Sequence, residues 1–216
     1  MTRSFEVDRL AVLVHEVRSP AAALAALAEA LGSRPAELED LREVAELALA
    51  ACRSIERVVL DASVASVRAE RIDVAALVRQ AAASARVRGV RVDVSIGPAL
   101  PAVAGDSVRL RQALDNLLEN AVAWSPQGAT VVVGARAAGP EVELYVTDRG
   151  PGIPTGERER VFEHGTRLDP ARPGSGIGLA LVRAIAEAHG GSARLDTRSG
   201  VGSTFTIRLP ASNVEV

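Results

Sequence analysis

Leu10, Val17, Leu24 and Leu31 recur every seven residues, with Leu13 and Leu27 between them and Val14, Ala21 and Ala28 alongside. That is an a/d stripe, the mark of a helix that packs against other helices. Gly32 suits the position just past a helix end, and Ser33-Arg34-Pro35 suits the start of a second helix. A further stripe runs through Leu38, Leu41, Ala45, Ala48, Cys52, Ile55, Val59 and Ala62. A two-helix hairpin cannot cover its own apolar stripe. The pattern therefore predicts two hairpins joined as a four-helix bundle, which makes the protein a homodimer. Packing of the hairpin on the chain's own C-terminal half is the alternative.

From about Arg71 the pattern alternates. Residues 74–86 read as a helix and VRVDVSI as a strand; Asp106 caps a helix running to about Trp124. ATVVVGARA and EVELYVTD read as adjacent strands, residues 176–189 as a helix, and SARLDT and STFTIRLP as closing strands. This predicts an α/β sandwich, a mixed sheet with helices on one face. Of the 18 glycines, 17 follow Arg88, which sets the two grammars apart. The expected domains are residues 1–68 and 69–216.

Composition narrows the function classes. Hydrophobic residues make up 48% of the chain and aromatic ones 2%, so the core must be aliphatic and alanine-rich. A formal net charge of −2 excludes a nucleic-acid binder held by a basic surface. All 25 basic residues are Arg, so phosphate contacts must come from Arg, backbone N–H groups or a metal. One cysteine and three histidines exclude an intramolecular disulfide and a multi-thiolate or His-rich metal cluster. Apolar runs such as Ala21–Ala28 fall far short of a membrane span, and MTRSFEVDRL is not a signal peptide, so the chain reads as cytoplasmic.

Four features carry chemistry. On a helical wheel His15 of HEVRSP falls opposite the seam, facing water, with Glu16 adjacent and Ser19 on the same face. A neutral imidazole is a competent nucleophile that needs a base for its other proton. Asn116 and Asn120 of LDNLLENAV share a helix face amid leucines, and an amide oxygen is a hard ligand suited to Mg²⁺. DRGPGI puts Asp148 at a strand end, where glycines let backbone approach a ligand. GSGIGLAL places glycines ahead of a helix N-terminus, an anion site, with Arg167 and Arg172 in the broken stretch before it.

In this order and spacing the motifs resemble the catalytic core of bacterial two-component sensor histidine kinases, from about residue 5 to Pro210. HEVRSP matches the phosphoacceptor motif and LDNLLENAV the Asn-rich magnesium motif. DRGPGI, VFE, GSGIGL and GVGSTF match the remaining boxes, and AHGG is also typical. The resemblance implies a dimeric helical hairpin for dimerisation and histidine phosphotransfer, followed by an ATP-binding α/β sandwich of the histidine-kinase (Bergerat) type. It implies that His15 attacks the γ-phosphate of ATP while Glu16 takes or orients the other ring proton. It implies Mg²⁺ on Asn120, with Asn116 near the phosphates. Asp148 would bind the adenine amino group with Thr204 close by, and Gly150 and Gly152 would shape the base pocket. Gly174, Gly176 and Gly178, with Leu179, would wrap the triphosphate, and Arg167 would neutralise charge on the transferring group. The partner implied is the receiver domain of a response regulator, whose aspartate takes the phosphoryl group. Asn116 stands where gyrase-type ATPases keep a water-activating glutamate.

The chain departs from the family pattern at three places. Ala123 replaces a basic residue and removes one phosphate contact. The second aromatic near Gly165 is absent. Ser19 stands where Thr or Asn is common, and its hydroxyl can still orient a water for phosphatase activity toward the regulator. Only 14 residues precede His15, so a sensor is expected on a separate protein or a longer chain. A relay or binding module of the same fold with little ATP use is the alternative function.

Overall fold

The computed structural model describes residues 68–169 and 176–212, together with Ala48 and Ala51, which are helical. The chain divides into two compact units, Met1–Ala65 and Ser66–Val216. Apart from Ala48 and Ala51, the described elements belong to the second. The predicted dimeric bundle, His15, Glu16, Ser19, Arg172 and Gly174 lie outside the described residues.

Strand β1 (Glu70–Ile72) leads into helix α1 (Val74–Val87), which starts where the Asp73 carboxylate accepts the Ala76 N–H at 2.9 Å. Strands β2 (Val92–Ile96) and β3 (Val103–Gly105) precede helix α2 (Ser107–Trp124). Asp106 caps α2 by accepting the Val108 and Arg109 N–H groups, both at 3.0 Å. Strands β4 (Val131–Ala138) and β5 (Glu141–Thr147), helix α3 (Gly178–Ala188), and strands β6 (Ser192–Arg198) and β7 (Gly202–Pro210) complete the order.

The five-stranded sheet runs β2-β4-β5-β7-β6, with β2 and β4 parallel and the other pairs antiparallel. β1 and β3 pair separately, Ile72 opposite Val103. ERI and VAG are too short to show a period, so no local pattern announces that small sheet.

Each helix buries one stripe. α1 buries Val74, Leu77, Val78, Ala81, Ala82 and Ala85; α2 buries Leu110, Ala113, Leu114, Leu117, Leu118 and Ala121. α3 buries Ala180, Leu181, Val182, Ile185 and Ala186. α1 packs on β2 and β4, α2 on β5 and α3 on β7; Val142, Leu144 and Val146 of β5 and Phe205, Ile207 and Leu209 of β7 are none more than 1% exposed. Alternation along β5 continues one step past the strand, so Asp148 falls in phase with the buried valines and leucine.

AHGG holds the helix ends together. His189 is buried; its Nδ1 lies 2.7 Å from the Ile185 carbonyl and its Nε2 accepts the Asp106 N–H at 2.9 Å. The ring thereby ties the end of α3 to the start of α2. A side chain on Gly191 would drive its Cβ to 1.9 Å from the Arg208 carbonyl oxygen.

On the sheet face away from the helices, Glu143 is 3% exposed and sits between two guanidinium groups. Its Oε2 lies 2.7 Å from Arg136 Nε and its Oε1 2.6 Å from Arg208. Burial opposes its ionisation, but the Arg136 and Arg208 contacts outweigh this and hold the carboxyl below its ordinary value. A depressed carboxyl stabilises the fold above its unfolded value, and that contribution is lost as pH falls through the folded value. Glu143→Gln is therefore expected to cost about 2 kcal/mol at neutral pH. Denaturant melts across the acid range should show a shallower loss of stability in the variant than in the wild type.

Candidate functional site

Asp148 is the centre of the site. It is 4% exposed, and its Oδ1 accepts the Gly150 N–H at 2.7 Å and the Ser203 N–H at 3.0 Å. Its Oδ2 accepts no hydrogen bond from the described residues. Burial pushes this carboxyl above its ordinary value, against the pull of those two backbone donors. A buried acceptor with one oxygen committed to the fold and the other open is set to receive an N–H from a ligand.

Backbone closes tightly around it. A Cβ on Gly150 would lie 2.9 Å from the Trp124 carbonyl oxygen and 3.0 Å from Asp148 Oδ1. The Arg149 N–H donates to Ser125 Oγ at 3.2 Å, so the end of α2 is bound to the loop. Gly202 opens β7 at φ +139°, and a Cβ there would meet the Asp148 carbonyl oxygen at 2.3 Å. Gly152 packs on the β6–β7 turn, its notional Cβ 2.4 Å from the Arg198 carbonyl oxygen.

Asn116, Asn120 and Trp124 follow at intervals of four residues and form one ridge of α2. The ridge spans about 12 Å along the axis. Its Trp124 end meets Gly150, and Gly178, the first residue of α3, lies at its Asn116 end, a Cβ there coming 3.9 Å from Asn116. The Asn116 Nδ2 is buried and has no hydrogen-bond partner. An orphaned amide is costly unless a ligand completes it. The N-cap of α3, Ile177, makes no side-chain cap hydrogen bond, so Gly178 and Leu179 open the helix without one.

The other sequence candidates are distributed as follows. Gly176, at φ +77°, packs on Gly165 and Thr166. Asn120 and Leu179 are half-buried, and Arg167 is exposed. Phe162 of VFE is buried edge-on to Phe205 at 6.1 Å, with Arg183 4.7 Å over its ring. Arg183 also bonds Glu159 at 3.0 Å, which fastens the segment ahead of the glycine box to α3.

Thr204 requires a correction. Its Oγ1 lies 2.9 Å from that of Thr147 on the face away from the helices, so it does not reach Asp148. The neighbour of Asp148 is Ser203, 5% exposed and in phase with Phe205 and Ile207. The alternation in STFTIRLP carried that signal.

Among the described residues no three His, Cys, Asp or Glu side chains converge on a metal position. A hard cation here would take its oxygens from an asparagine, from water and from the ligand's own anionic groups. Asp148 and the ridge thus fit an elongated ligand with an amine-bearing ring at one end and anionic oxygens at the other. A separate cleft of about 540 Å³, bounded by Ile72, Val74, Ile96 and Leu100, shares no residue with this cluster.

Two glycine contacts give opposite expectations. Gly202→Ala must displace either the Asp148 carbonyl or the start of β7, and should lower Tm by about 5 °C or more. Gly178→Ala meets ordinary contacts only and should leave thermal unfolding nearly unchanged. Thermal melts of both variants check this.

Residues 105–213 match the sequence profile described as Histidine kinase-, DNA gyrase B-, and HSP90-like ATPase. Sensor-like histidine kinase SenX3 of Mycobacterium tuberculosis is 38% identical over 94% of this chain and 53% of its own length. The chain thus spans about half the length of the curated relatives it matches. The crystal structure of full-length ShkA in complex with AMPPNP aligns with a TM-score of 0.67 at 27% identity, over 97% of this chain and 47% of that one. The mycobacterial sensor histidine kinase MprB aligns at 0.59 with 36% identity, over 68% of this chain and 99% of its own. With more than half of its residues inside the matched profile, the chain belongs to the histidine kinase-, DNA gyrase B- and HSP90-like ATPase family, on the sensor histidine kinase branch.

Proposed function

We propose that this chain is a protein histidine autokinase: it binds ATP in the second unit and transfers the γ-phosphoryl group to His15 in the first. The observation that carries the ATP reading is Asp148, buried with Oδ2 open. An exocyclic amine is a donor of the required kind. From there the asparagine ridge runs about 12 Å toward the bare start of α3, a span suited to a ribose and its phosphates.

Asn116 supplies the donor that a phosphate oxygen completes. Asn120 and the phosphates would hold Mg²⁺, which neutralises charge on the transferring group when bound. Gly178 and Leu179 present N–H groups to the anionic end. Arg167 is the candidate cation for the departing charge. Asn116 cannot act as a base toward water, so the phosphoryl group is kept for the imidazole.

In transfer, one His15 ring nitrogen bonds to phosphorus as the bond to the ADP oxygen breaks. Glu16 orients or takes the proton on the other nitrogen. A receiver aspartate then bonds to phosphorus as the bond to the His15 nitrogen breaks, and the Ser19 hydroxyl would orient a water for hydrolysis of the resulting acyl phosphate. Residues 1–68 are assigned to dimerisation and phosphotransfer and residues 69–216 to ATP binding. The protein acts as a homodimer, in the cytoplasm, on a response regulator. No helix among the described residues is long and apolar enough to cross a membrane.

Incubation with γ-labelled ATP and Mg²⁺ tests the proposal. The wild type should acquire label and His15→Gln should acquire none while still binding ADP. Failure of the wild type to bind nucleotide at millimolar concentration would favour the relay-module alternative.

A further inference from the structure

Three segments meet on one hydroxyl beside the base pocket. Thr197, on edge strand β6, is 6% exposed. Its Oγ1 accepts the Ile153 N–H at 2.9 Å, lies 2.9 Å from Ser203 Oγ, and faces the Gly202 carbonyl at 3.2 Å. Ser203 in turn donates its N–H to Asp148 Oδ1 at 3.0 Å. The loop from Asp148 to Ile153 is therefore pinned at its start by Asp148 and at its end by Thr197. The floor strand β7 is pinned by the same two side chains.

We infer that Thr197 is a positioning residue for the base pocket: it fixes the wall and the floor together and sets the proton direction at Ser203. This rests on the ATP reading above. A threonine hydroxyl has one proton and two lone pairs. One lone pair is taken by the Ile153 N–H. If the proton goes to the Gly202 carbonyl, Ser203 must donate to Thr197 and has only acceptor capacity left. If the proton goes to Ser203, the serine proton is released toward the Asp148 side.

The second arrangement sets a donor beside a carboxylate. Adenine's edge carries the complementary pair, an amino donor next to a ring-nitrogen acceptor. Hypoxanthine carries the reverse, a carbonyl acceptor next to a ring N–H. The Thr197–Ser203 pair thus contributes to the choice of adenine as well as to affinity. The Gly202 carbonyl is the competing acceptor, at the longer of the two distances.

The test uses the full chain with Mg²⁺, ADP and IDP, by calorimetry well below each variant's Tm. Thr197→Val keeps the shape and removes the hydroxyl; it should weaken ADP ~10-fold and erode the ADP-over-IDP preference by a similar factor. Thr197→Ser should restore both to within about twofold of wild type, as expected when the hydroxyl is what matters. A merely structural threonine would lower Tm and leave the ADP/IDP ratio alone. Should Thr197→Val fail to fold, Ser203→Ala tests the same chain from its other end and should lose the same preference. Wild-type binding of ADP with unchanged affinity and preference in these variants overturns the inference. A wild type that binds no ADP instead overturns the ATP reading on which it stands.

Discussion

Asp148→Asn should reduce ADP affinity by ~10²-fold or more and at the same time raise the melting temperature. The two effects have one cause. The carboxylate is buried, and burial pushes it above its ordinary value against two backbone donors. For an acid with a raised folded value, the native state holds its proton more firmly than the unfolded chain does. Ionisation therefore costs stability, from the unfolded value upward, and the full cost stands once pH exceeds the raised value. Asparagine removes that charge, and its carbonyl oxygen can still accept the Gly150 and Ser203 N–H groups. Its NH₂, however, takes the place of Oδ2 and meets the ligand's amine donor to donor. Calorimetry with ADP and a thermal melt on the same sample check both halves. The wild type should also lose affinity as pH falls into the range where Asp148 takes up a proton, and the variant should not.

Asn116→Leu should follow the same logic at the other end of the ridge. The Asn116 Nδ2 is buried without a partner, a standing cost to the folded state. Leucine has a better helix propensity and continues the stripe of Leu114, Leu117 and Leu118. The variant should therefore melt no lower than wild type. Its phosphoryl-transfer rate at saturating ATP should fall ~10²-fold, as when one preorganised donor is lost from a charge-developing site. ADP affinity should change much less than in Asp148→Asn. Single-turnover labelling alongside calorimetry separates the two variants.

Both expectations depend on features the sequence carries only in part. The three helices were legible because each has a regular apolar stripe, and Asp106 announces the start of α2. The sheet was legible because Val142, Leu144 and Val146 alternate with polar residues, and that phase leads to Asp148. The same rule applied to Phe205, Ile207 and Leu209 would have selected Ser203 over Thr204.

Long-range convergence was not legible. Glu143 is buried only because Arg136 and Arg208 arrive from the two neighbouring strands, and no local pattern announces that pairing. Thr197, Ser203 and Ile153 meet through the β6–β7 register and a loop contact more than 40 residues away in sequence. Local sequence gives His189 no role beyond its place in AHGG. It serves as a clamp between two helix ends, with Gly105 kept small because a Cβ there would lie 2.4 Å from the ring.

The most direct test of the central claim is the chemistry of the bond that carries the phosphate. After a single turnover with γ-labelled ATP, the labelled chain is divided between acid and alkali and its phosphopeptide is mapped. A phosphoramidate should vanish in acid, survive in alkali, map to His15 and be absent from His15→Gln. Label that survives acid or maps to a serine, or ATP turnover that continues undiminished in His15→Gln, would contradict a histidine autokinase.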